Sequence, residues 1–77
     1  MSDEFVEADL KNDMAVLAKL LGDTRVRFHH RETQLASWQQ LIDVDLQIRL
    51  ALARPLSAEL QFEILRLTAR LRTLDLR

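Results

Sequence analysis

No cysteine occurs among the 77 residues. That excludes a disulfide staple, a thiolate metal site and a cysteine nucleophile. Glycine and proline occur once each, as Gly22 and Pro55. An all-β chain needs many tight turns built from such residues, so their scarcity argues against one. No apolar run approaches the length of a membrane span, and no membrane partner is expected. Neither sign of charge is in excess: Lys and Arg number 11, Asp and Glu 12, for a net charge of −1. Global electrostatics therefore names no partner. The residues Met1 to Glu4 are acidic rather than basic and precede no long apolar stretch. A secretory signal is not expected, and a cytoplasmic protein is.

Leu, Arg and Ala dominate what is present, with Glu and Gln also frequent, and all are good helix formers. The expected fold is all-α: a single small domain over 1–77 with three amphipathic helices, the last two forming an antiparallel hairpin. A chain of this length stands at the margin for supporting a core alone, so association is an obvious source of added stability.

Helix A is expected over about 3–21, where Val6, Leu10, Met14, Leu17 and Leu21 recur at helical spacing. Gly22 stands where a helix is commonly closed. Phe5, Val16 and Leu20 make a weaker second stripe. Asp23 or Thr24 can cap helix B, expected over about 24–53. One face of B carries Phe28, Leu35, Ile42, Leu46 and Leu50; a second, nearly opposite, carries Leu41, Val44, Ile48 and Leu52. Apolar residues also occupy every even position from Ile42 to Leu52. That alternation is compatible with a strand and a β-hairpin about Arg54–Ser57. The helical reading is preferred because the alternation dissolves at Leu65-Arg66-Leu67 and β-branched residues are few.

Pro55 breaks the chain, and Ser57 is a good N-cap for helix C, expected over about 58–76. Leu60, Ile64, Leu67, Leu71 and Leu74 form a heptad seam; Phe62, Leu65, Ala69 and Leu76 lie opposite. The acidic residues of 1–23 beside the arginines of 24–40 suit helices A and B packed side by side. Pairing the first face of B with the seam of C leaves apolar surface uncovered. The expected partner-binding residues are Leu41, Val44, Ile48 and Leu52 on B, with Phe62, Leu65 and Ala69 on C. Contiguous patches of this kind mark interfaces, so the partner is another helical protein or a second copy of the chain. The plain alternative is that all seven are ordinary core.

No chemistry of catalysis emerges. The sequence holds no Gly-rich phosphate loop, no HExxH and no Ser–His–Asp arrangement. Asp43 and Asp45 diverge around a helix, and His29 with Glu32 falls short of a zinc set. No enzyme activity and no cofactor or metal is expected. Arg25, Arg27 and Arg31, with His29, His30 and Phe28 between them, form a short basic cluster. A small nucleic-acid-binding regulator is thus the alternative function, disfavoured by the chain's near-neutral charge. Trp38 lies between the two faces of B and suits core packing or an interface anchor.

The stretch from Leu50 to Leu76, about a third of the chain, resembles the small needle co-chaperones of bacterial type III secretion. The match is a helix, a short turn at Arg54 to Ser57, and Ala58-Glu59-Leu60-Gln61 opening a second amphipathic helix. That family often has an aromatic residue before the Gln, where this chain has Leu60, and segment A is longer than the family leads one to expect. The resemblance implies a short helical hairpin that joins a helical-repeat chaperone and holds the needle subunit in the cytosol. It implies a binding role for the face of C bearing Phe62, Leu65 and Ala69.

Overall fold

The computed structural model describes residues 5–30 and 35–75. Three α-helices make up the fold: α1 Glu7–His30, α2 Leu35–Leu52 and α3 Ala58–Asp75. No strand occurs among the described residues, and the alternating stretch 42–52 is helical. The all-α expectation holds. The bundle measures 47 × 19 × 18 Å.

The helix boundary expected at Gly22 is not there. Helix α1 runs straight through it, and Gly22 does not adopt positive φ. The reason is visible in the packing. Leu10, Leu17, Thr24 and Phe28 are buried in turn, with Met14 and Leu21 half-buried between them. These positions alternate four and three, so one heptad seam continues to Phe28. Thr24 is a core position rather than an N-cap, and helix B begins at Leu35. The uneven charge consequently lies along one helix. Glu7 and Asp9 occupy the first turn of α1, and Arg27, His29 and His30 the last. That arrangement complements the helix dipole.

A mid-helix glycine costs conformational entropy without benefit unless something approaches its backbone closely. A Cβ built on Gly22 meets nothing within 4 Å. Gly22→Ala is expected to stabilise the protein by about 0.5–1 kcal/mol, read as a raised urea midpoint at unchanged slope.

Helix α3 begins as expected. Ser57 accepts a hydrogen bond at Oγ from the Leu60 amide at 3.1 Å, the N-cap geometry. The Arg54 amide donates to the Ala51 carbonyl at 3.1 Å and closes α2 ahead of Pro55. Contacts of Asp43 with Arg70 and of Gln47 with Arg66 set α2 and α3 antiparallel. The expectation of A against B needs correcting, because α3 packs closely on both other helices while α1 and α2 touch much less. Helix α3 is the shared wall, and its seam of Leu60, Ile64, Leu67, Leu71 and Leu74 is buried.

One core atom is out of place. Thr24 is fully buried, and its Oγ1 has no hydrogen-bond partner. A buried hydroxyl without a partner loses its hydration and regains nothing. Thr24→Val keeps the shape and removes the orphan. A gain of about 1 kcal/mol is expected, with the thermal midpoint as readout; a loss of stability would show that the hydroxyl is satisfied.

Candidate interaction surface

The face of α2 that meets α3 is the reverse of the one expected. Leu41, Val44, Ile48 and Ala51 are buried against the α3 seam, with Trp38 and Leu52 half-buried beside them. Leu41, Val44 and Ile48 are core, and with Leu52 packed against them none belongs to a free surface. The face left outside carries Leu35, Ile42, Leu46 and Leu50, each between 57 % and 73 % exposed. The physical reason lies in the residues between them. At 100° per residue, Gln39 falls within the sector of Ile42, Leu46 and Leu50, and Arg49 lies about 20° beyond its edge. Turning that face inward would bury a guanidinium and an amide. The Leu41–Ala51 sector holds no charged residue along its centre.

Polar side chains fix this choice at both edges of α2. Toward α1, Asp45 pairs with Arg25 at 3.6 Å and accepts from Arg49 Nε at 2.8 Å. Toward α3, Asp43 meets Arg70 at 3.5 Å, and Gln47 Oε1 accepts from Arg70 Nη1 at 3.1 Å. The carboxylate of Glu63 pairs with Arg66 on α3. The Arg66 hydrogen bond holds the Glu63 carboxyl below the usual carboxylate range against an opposing push from burial, and the charges of Arg66, Arg54 and Arg70 add to the lowering. Its contribution to stability is present above the unfolded-state value and lost as pH falls through the lowered folded one. In so exposed a pair that contribution is small.

The result is an apolar stripe with a polar border on each side. Leu35 to Leu50 spans about 22 Å of helix. A second, shorter patch lies on α3, where Phe62 is 76 % and Leu65 50 % exposed and Ala69 is also at the surface. The row of Asp43, Gln47, Arg66 and Arg70 separates the two patches. The α3 patch lies where it was expected; the α2 patch was missed. Its signal in the sequence was negative: Gln39 and Arg49 spoil that face as core.

Trp38 packs edge-on against Phe28 at 5.4 Å between ring centroids and against His29 at 5.2 Å. It closes the end of the core where α1 meets α2. Of the basic cluster, Arg25 is committed to Asp45, Arg27 is exposed, and Arg31 lies outside the described residues, as does Glu32. Among the described residues no three His, Asp or Glu side chains come together in a metal-holding group. A depression of about 280 Å³ is lined by Gln40, Val44, Arg70, Thr73 and Leu74, small for a ligand site. Among the described residues no helix is long and apolar enough to cross a membrane. Compared with protein families, curated proteins and solved structures, the chain finds no match.

Proposed function

We propose that this protein is a non-catalytic helical interaction module, a small chaperone, adaptor or obligate oligomer of the cytoplasm. It acts by burying an exposed apolar helix face against another helical protein. The observation that carries the reading is the exposed aliphatic run of Ile42, Leu46 and Leu50 on α2, with Leu35 beyond Gln39 on the same side. Full burial of a large aliphatic side chain is worth roughly 1.5–3 kcal/mol. A small domain that exposes several in one line forgoes stabilisation comparable with its whole margin. Such a patch is accounted for by a partner that covers it.

A narrower form of the reading makes the protein a type III secretion needle co-chaperone. Its support is the α2–turn–α3 hairpin and the outward Phe62, Leu65 and Ala69. The two forms differ in the face they use, α2 for the general reading and α3 for the narrower one.

The test is native mass spectrometry and light scattering of the protein purified from its own host. The expected species holds a second helical chain in fixed ratio, of either the same or a different sequence. Substituting Ile42→Glu with Leu50→Glu should release it without loss of helical circular dichroism. A wild-type chain that runs alone at every concentration would remove the basis of the reading.

A further inference from the structure

We propose that the Ile42–Leu50 part of the α2 stripe is covered by a second copy of this chain, packed antiparallel about a twofold axis beside Leu46. The proposal rests on the interaction-module reading and specifies its partner. It follows from how the face is arranged about that residue. Ile42 and Leu50 lie four residues before and after Leu46, each about 6 Å along the helix and about 40° to either side. An antiparallel twofold sets Leu46 against its own copy and places Ile42 of each chain beside Leu50 of the other. All three residues are more than half exposed and aliphatic. An interface with this symmetry presents the same patch from both sides, so it must be complementary to itself.

The polar borders meet that condition. Before Leu46 stand two acceptors, Asp43 and Asp45; after it stand Gln47 and Arg49, which carry donors. They already pair within one helix, Gln47 Nε2 donating to Asp43 at 3.0 Å and Arg49 Nε to Asp45 at 2.8 Å. Asp45 and Arg49 share the border toward α1; Asp43 and Gln47 share the border toward α3. An antiparallel twofold keeps each border on its own side and reverses its direction. Arg49 of one copy then stands about 3 Å along the axis from Asp45 of the other, and Gln47 from Asp43, within side-chain reach. This arrangement brings Asp45 near its own copy once but supplies two Arg49–Asp45 approaches; a parallel pair would give two Asp43–Asp45 approaches and no arginine beside either. Complementary charge of this kind fixes register and orientation.

The α3 patch lacks this property. The same operation centred between Leu65 and Arg66 would match Phe62 with the much smaller Ala69 and bring Arg66 against its own copy. The copy therefore belongs on α2.

Sedimentation velocity across concentration reads the association. The mass should rise from 9.0 kDa toward twice that value. A face of three to four helical turns sits at the small end of specific interfaces, so half-association is expected at about 1–100 µM. Leu46→Glu, and independently Leu50→Lys, should raise that midpoint at least tenfold with circular dichroism unchanged, while Phe62→Glu leaves it in place. Because the chain has no cysteine, orientation is read by cross-linking. An oxidised mixture of Ile42→Cys and Leu50→Cys chains should give mostly the mixed disulfide. Three results would overturn the proposal: a 9.0 kDa species at every concentration, dissociation by Phe62→Glu but not Leu46→Glu, or Ile42→Cys coupling chiefly to itself. A different helical chain bound in fixed ratio and released by Leu46→Glu would also overturn it, yet would leave the broader reading standing.

Discussion

Ile48→Glu is expected to unfold this protein, and Leu46→Glu, two positions earlier, to leave it folded. Ile48 is fully buried among the residues facing α3. A carboxylate there loses its hydration in an apolar setting, a penalty of several kcal/mol. The aliphatic contacts of Ile48 are lost as well, at about 1.5–3 kcal/mol. Against a total stability of roughly 4–12 kcal/mol for a chain of this size, little or nothing remains. Leu46 points into solvent, 57 % exposed, where a charged replacement shifts the monomer's stability by about 0.5 kcal/mol or less. Far-ultraviolet circular dichroism and Trp38 fluorescence during urea titration measure both. The reverse outcome, a cooperative Ile48→Glu fold beside an unfolded Leu46→Glu chain, would mean that the other face of α2 lies inside.

Leu67→Ala should cost about 2–5 kcal/mol. Leu67 sits near the middle of α3, fully buried, on the helix that both others lean on. Truncation there removes core contacts and leaves a cavity that rigid neighbours close only in part. Leu65→Ala is the matched control. The same chemical change, two residues earlier on the exposed side, should move stability by no more than about 0.5 kcal/mol. Urea midpoints at constant slope separate these effects from a change in the unfolded chain. Near-equal losses for the two variants would contradict the packing of α3.

The sequence makes helix α3 fully legible. Pro55 and Ser57 mark its start, and a seam of five large aliphatic residues marks its buried side, with only Thr68 polar beside it, its hydroxyl donating to the Ile64 carbonyl. Helix α1 was legible in its periodicity and misread in its length. A single Gly22 beside two good capping residues looks like a stop, but a glycine without a positive-φ requirement is only a weak interruption. Thr24, a polar residue at a seam position, hid the continuation to Phe28. Helix α2 has two apolar faces of similar hydrophobicity, and size alone favours the wrong one. The deciding information is long-range. Asp43, Asp45 and Gln47 find their cations on α1 and α3, and local periodicity carries no record of where those cations lie. The inverted α2 face changed the candidate site directly, since the residues first expected to bind a partner include the ones holding the monomer together.

That α1 and α2 both depend on α3 has a consequence for how the molecule comes into being. Ribosomes release the chain in order, and the helix against which the first two must lie emerges after both. Until it does, a nascent α1 has little neighbouring surface to settle on, and the greasy sides of both early helices stay open to solvent. Folding of these helices therefore waits on α3 rather than proceeding step by step, and a copy halted before Ala58 should be prey for proteases.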